Sequence, residues 1–388
     1  MANDVILNES SVAMVVQSTA LTYAAPSAGT DYIQVTSEAK PFSKNREAIE
    51  RDTLSGTVET EATRVGIPEV SGSIPIELLA SATAGSAPQN ADVQLRAMLG
   101  GKKVEATKTA TAATSTVITF ASHSFTAGSC VKVLESGAHE IRPISAVTAT
   151  TITFPFALDN GAPSATVVVE AVTTYYSDTT SAVNLSCEWN VGNEIQQQIT
   201  DLTPASMTLS GWEAGKPASL EFSYEGVGLE RSNASQSYTP DFTADAEPPV
   251  ALSACLWLNG SSTSYNELGL SVENELAPKP DACQVNGKAG SPRIKKQKCS
   301  FNANVYADDT LLTTWDLYND NNDISVFYYI YNPSATAGEF DEAIAFWMPQ
   351  GRVTAHPFGE IEGFVSDEIV IQPHQSGSGN NSIFISYV

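Results

Sequence analysis

Between Lys40 and Gly101 the sequence changes its hydropathy pattern three times, and each change removes freedom from the fold. Lys44, Arg46, Glu47, Glu50, Arg51 and Asp52 make a charged segment that cannot bury a face, so Pro41 to Arg51 reads as an exposed loop. A polar strand follows, with Thr57, Glu59 and Glu61 on one side, because successive side chains of a strand point to opposite faces. After the turn residues Gly66, Pro68 and Gly72, Ile74, Ile76 and Leu78 alternate with Pro75 and Glu77, a strand with one face on a core. Pro75 has no N–H for a ladder, which places this strand at an edge or a bulge. Pro88 then opens a short helix carrying Val93, Leu95, Met98 and Leu99 at helical spacing, and Gly100–Gly101 stops it.

Downstream the chain is strand after strand. Ala218, Leu220, Phe222 and Tyr224 alternate with Ser219, Glu221, Ser223 and Glu225, which gives a half-buried strand whose outward row carries two carboxylates. Further strands are read at 12–17, 31–36, 181–190, 193–202 and 205–212. The polar run NEIQQQITD predicts a wet face on its strand, towards a subunit contact or a water-filled space. A Ser, Asn, Thr and Pro-rich stretch over 231–249 reads as a linker. Beyond it come strands at 249–260 and 265–278, a charged loop with Lys288, Arg293, Lys295, Lys296 and Lys298, and a strand over 298–306. Asp308 and Asp309 open a second short helix, and a meander runs to Val388. Loop, strand and helix thus occur twice, a repeat of order with little repeat of side chains.

From Lys103 to Thr174 the composition shifts to Ala, Thr, Ser and Val, with short strands at 115–120, 129–134, 139–147, 150–156 and 165–172. A whole module where a helix end and the next strand need only a short connection must be an insertion that projects from the core.

The order of an REAIERD loop, a VSGSIPIELL strand and a short helix resembles the tail tube proteins of phages with long non-contractile tails. The resemblance covers the chain outside about 103–174. It implies an all-β fold: two tandem tube-type β-sandwich or barrel domains, each with a short flanking α-helix, plus a small inserted β-barrel module on the outer surface. The expected division is 1–102 and 175–245 for the first tube domain, 103–174 for the insertion and 246–388 for the second tube domain. Such proteins stack as rings into a hollow tube around DNA and a tape measure protein, closed by terminator and tip proteins. Sixfold rings are common in the family, so a two-domain chain closes with three subunits and a single-domain one with six. Edge strands pairing with the next domain would form the inner wall. Glu59, Glu61, Glu221 and Glu225 are candidates for an acidic lining, and the segment with Lys44, Arg46, Glu47, Glu50 and Arg51 for ring-to-ring contact. The resemblance places the protein in the virion tail, and the absence of a basic leader before the apolar run points to assembly in the host cytoplasm.

Composition agrees with this without requiring it. Asp and Glu outnumber Lys and Arg 44 to 20, for a formal net charge of −24. That balance opposes a grip on nucleic acid, which depends on Lys and Arg displacing counterions, yet it suits a channel along which phosphates must slide. It also simply favours solubility. No run of about 18 apolar residues spells a membrane span. The five cysteines are odd in number and lack a CxxC pair, so they read as reduced thiols rather than a disulfide frame or zinc site.

Catalytic chemistry finds no foothold. The four histidines are scattered, and no GxSxG, HExxH or Walker-type loop occurs. Tyr318 to Phe327 offers oxygen ligands but lacks the Gly and terminal Glu of a calcium loop, so no metal or cofactor is expected. Two other readings keep an all-β acidic chain without enzyme chemistry: a different virion structural protein, such as a decoration or fibre-like component, or a carbohydrate-binding module using exposed tryptophans.

Overall fold

A computed structural model of the chain describes residues 10–27, 29–49, 64–80, 83–135, 137–192, 194–213, 216–236, 248–249, 255–284, 287–306, 311–334, 336, 338–361, 363–377 and 379–388. The first part contains β1 (Ser11–Val16), β2 (Tyr32–Ile33), β3 (Ser43–Ile49), β4 (Arg64–Glu77), α1 (Gln89–Leu99) and β5 (Gly100–Glu105). The inserted stretch holds β6 (Lys108–Thr109), β7 (Ala112–Ala113), β8 (Val117–Thr119), β9 (Cys130–Leu134), β10 (Glu140–Pro143), β11 (Ala146–Val147), β12 (Thr151–Thr153) and β13 (Val168–Val169). There follow β14 (Val172–Ser177), β15 (Leu185–Val191), β16 (Ile195–Glu213), β17 (Ser219–Gly226) and β18 (Gly228–Ser232). The last part consists of β19 (Cys255–Leu258), β20 (Ser261–Thr263), β21 (Tyr265–Ala277), β22 (Arg293–Tyr306), α2 (Leu311–Asp320), β23 (Ile324–Pro333), β24 (Phe340–Ala355), β25 (Phe358–Ile361), β26 (Phe364–Pro373) and β27 (Phe384–Tyr387). The fold is all-β, with two short helices among the described residues.

One strand order occurs twice. In the first half the antiparallel neighbours run β2, β1, β15, β16, β17, β4, β3. In the second they run β20, β19, β23, β24, β26, β22, β21. The chain visits the positions in the same sequence each time, and the helix follows the fourth strand in both halves. The halves join where β16 pairs with β21 and where β14 pairs with β27, giving a continuous 19-stranded sheet that folds over a shared core.

β16 explains how a single sheet becomes a sandwich. Its first part pairs with β15 and β18, its second with β17 and β21, and the change after Leu202 is followed at once by a register shift between Pro204 and Ser206. A bulge bends a strand and lets it pass from one layer to the next. The core between the layers collects Ile74, Ile76, Trp189, Ile199, Phe222 and Tyr224, capped by Leu95 and Met98 of α1. Phe42 meets Trp189 edge-on at 6.1 Å between ring centroids.

α1 forms where its spacing predicted it. Gly100 ends it at φ +87°, and a Cβ there would collide with the carbonyl oxygen of Asp178, so only glycine fits. Pro75 also behaves as its chemistry requires. Its carbonyl accepts from the Thr36 N–H on the side away from β17, so its missing donor faces an edge.

Several expectations need correction. The charged segment at 43–49 is a strand, not a loop, and its residues are all exposed. The charged loop before 298 is likewise the start of β22. In each case a hairpin arm extends past the core, where a ladder needs only backbone groups and charged side chains stay wet on both faces. The strands expected at 193–202 and 205–212 are one strand, β16. NEIQQQITD is wet only in part: Glu194 is exposed and Gln198 half-buried, but Gln196 and Gln197 are buried, and the Gln197 amide donates to the Phe42 carbonyl at 3.3 Å. Hydrogen-bonded amides can be buried at small net cost, which a polarity pattern does not reveal. The buried Cys130, Cys187 and Cys299 and the exposed Cys283 are free thiols.

The inserted stretch makes two four-stranded sheets, in the orders β10-β9-β13-β6 and β11-β12-β8-β7, that share a core rather than close into a barrel. Nor does it simply project: its core is continuous with Trp257, Phe327, Tyr329 and Trp347 on the second half's sheet. Fully buried Arg142 marks the joint. Its guanidinium pairs with Glu140 and Asp159, each at 2.9 Å, and lies over the rings of Phe156 and Trp257.

Candidate functional site

Two surfaces stand out: one polar face that crosses both halves, and two sheet edges left open. The face follows from alternation. β17 buries Leu220, Phe222 and Tyr224, so Glu221 and Glu225 must point the other way, and both are exposed. Register carries the row across neighbours: Glu221 stands opposite Pro75 and Thr208, Thr208 opposite Ser271, and Ser271 opposite Ser300. Farther along, Glu267, Asn304 and Glu368 form another such row. The wall is thus built of short hydroxyl and amide side chains with carboxylates at intervals, and its bases are sparse: Lys298 stands opposite Glu273, and Arg352 pairs with Asp323 at 3.2 Å.

Of the four lining candidates, Glu221 and Glu225 lie on this face, while Glu59 and Glu61 fall outside the described residues. Glu267 and Glu368 were missed. Their outward positions were readable from alternation, but that they lie in one row with Asn304 depends on register, which no single strand discloses. Lys44, Arg46 and Glu47 sit on the exposed arm strand β3, and Glu50 and Arg51 fall outside the described residues. The Lys44 ammonium donates to the Leu229 carbonyl at 3.0 Å.

Among the described residues the open edges are β3, paired only with β4, and the β24–β25 stretch beyond Gly351, paired only with β26. Exposed apolar side chains gather at these places: Ile49, Val65 and Ile67 on the arm, and Phe358, Phe364 and Val365 around the turn of β25 and β26. Beneath that turn His356 and Asp367 are both buried, with Nδ1 and Oδ2 at 3.8 Å, and burial raises the Asp367 carboxyl against the lowering effect of His356. Among the described residues no group of three or more His, Cys, Asp or Glu side chains is placed to hold a metal. Trp189, Trp257 and Trp347 are buried in the core, which removes them from the carbohydrate-binding reading, and Trp315 packs edge-on against His356.

A polar face flanked by sheet edges that stay open among the described residues presents backbone groups able to pair with a further strand. The family model for the phage tail tube protein matches residues 8–357, so this chain belongs to the phage tail tube protein family and is a structural component of the virion tail. A comparison with curated proteins finds no match. No described helix is long and apolar enough to cross a membrane.

Proposed function

We propose that three copies of this chain close into a ring with pseudo-sixfold symmetry, and that such rings stack into the DNA conduit of a long non-contractile tail. The observation that carries this reading is the strand order that occurs twice and is joined edge to edge through β16 and β21. A unit that mates with a copy of itself inside one polypeptide can do so again between polypeptides, and a heterologous contact of this kind closes when its rotation divides the circle. The tube domains are 1–102 with 175–245, and 246–388; 103–174 lies on the outside of the tube.

In this reading the polar face carrying Glu221, Glu225, Glu267 and Glu368 lines the bore. Carboxylates among hydroxyls repel phosphates and leave no basic site to arrest them, so DNA and a tape measure protein slide without binding. Arg46 and Glu47 on the exposed strand β3 make the contact with the next ring, and Glu59 and Glu61 belong with the acidic lining. Assembly takes place in the host cytoplasm, and terminator and tip proteins close the two ends.

Negative-stain microscopy of the purified protein tests the proposal. Rings or hollow tubes about a hundred ångströms across are expected for domains of this size around a bore. Solitary monomers at all concentrations would contradict it, and rings of six chains would refute the tandem closure.

A further inference from the structure

The internal repeat fixes more than the number of chains. Both central strands carry a register shift at the same point of the fold, between Pro204 and Ser206 in β16 and between Val353 and Ala355 in β24. β25 continues β24 along β26, with the Glu368 N–H donating to the Pro357 carbonyl between them. Placing one shift on the other sets Ser206 with Ala355, Met207 with His356 and Leu209 with Phe358. Carried through β17 and β26 to β4 and β22, the same correspondence sets Ser43 with Ser271, Lys44 with Val272 and Asn45 with Glu273.

Inside the chain, Ser206 pairs with Glu273 and Leu209 with Leu270, and Leu209 is 2% exposed. At the corresponding place in the second half no described strand pairs with this edge, and Phe358 is 77% exposed. A large aromatic left in water where its counterpart is a buried leucine marks a surface awaiting a partner. The counterpart of the missing partner, β3, is itself exposed along its whole length, and among the described residues one of its edges is unpaired.

We propose that β3 of one chain adds antiparallel to the open edge of β24–β25 in the next, with Asn45 opposite Ala355 and Lys44 opposite His356. This deepens the ring reading and rests on it. The occupant is a second copy because the chain already displays the mating geometry once, between β16 and β21. In this register the added strand runs up to Phe358, with Ser43 opposite Pro357, and gives the backbone groups of the open edge partners. It also brings the Lys44 ammonium to the face where no donor among the described residues reaches the Oδ1 of buried Asp367. An arriving cation there answers a carboxylate that the isolated chain leaves half satisfied.

Disulfide trapping tests the register. In a chain whose exposed Cys283 is replaced by Ser, Asn45→Cys with Ala355→Cys should convert assembled rings on mild oxidation into covalent dimers and trimers, with closed trimers as the end point. The off-register pair Glu47→Cys with Gly359→Cys should give none. Phe358→Asp, which alters a residue exposed in the monomer, should leave its melting temperature unchanged and abolish rings. Rings of three chains without the 45–355 link, linkage of the off-register pair, or normal rings from Phe358→Asp would overturn this interface while leaving the ring intact. Absence of rings in the unaltered protein would overturn the ring reading and this inference with it.

Discussion

The two halves of the chain share a strand order and differ in how their central strands end. In the first half β16 is flanked on both sides, by β17 and β21, and Leu209 is sealed. In the second the matching stretch of β24 and β25 has, among the described residues, β26 alone, and Phe358 faces water. The halves also differ after the helix. The second passes from α2 to β23 through Asn321–Asp323, whereas the first inserts strands β5 to β14 before β15. The repeating unit therefore closes without a module at this point, so the insertion is an addition to the unit rather than part of it. Yet the module is not loosely attached, because it shares a core with the half that lacks an insertion of its own.

The comparison can be broken at the module joint first. Arg142→Ala strips a buried cation from Glu140, which would then keep only the amide donors of Asp159 and Asn160. Breaking a buried pair from one side costs about 3–5 kcal/mol, so denaturant unfolding should show a separate early transition for the module, and an unaltered curve would refute the joint. Leu209→Ala and Phe358→Ala then form a matched pair. The first removes a packed core side chain, at about 2–5 kcal/mol. The second, in the monomer, should stay within about 0.5 kcal/mol, as surface changes do. Equal losses at the two sites would erase the difference between sealed and open edges.

A pH effect sharpens the junction between α1 and the module. Glu105 is buried, with Thr126 donating to its carboxylate at 2.7 Å, and burial raises its pKa above the ordinary 4.5. A carboxyl raised on folding binds its proton more tightly when folded, so it adds stability as pH falls through the folded value and opposes folding above it. Glu105→Gln should melt higher than the parent at pH 8 and converge with it below about pH 4, where both states of the parent are protonated. The smallest change in stability is expected from Glu221→Lys with Glu225→Lys. Both sites are exposed, so stability should shift by no more than about 0.5 kcal/mol while DNA ejection from reconstituted virions slows. Unchanged ejection kinetics would remove these acids from the bore.

How much of this was legible depends on whether the signal was local. α1, its glycine stop, the alternation of β17 and the strands of the insertion follow from spacing and turn chemistry along a few residues. The arm strands β3 and β22 were hidden because a ladder with two wet faces has no apolar period to read. Gln196 and Gln197 were misread because burial of an amide depends on partners supplied from elsewhere in the chain, such as Phe42. The docking of Arg142 on Trp257 spans more than a hundred residues of sequence, and the open edge at Phe358 gains meaning only against its sealed counterpart at Leu209.

The central claim is that the chain is two mating units seeking a third and fourth of their kind. Counting chains in the assembled wall tests it most directly, by electron cryomicroscopy of tubes formed from the 41.1 kDa protein. The account predicts six similar wall segments per ring built from three polypeptides, with the junctions inside a chain and between chains alike in strand pairing. Six polypeptides per ring, or junctions between chains that do not use β3, would contradict it.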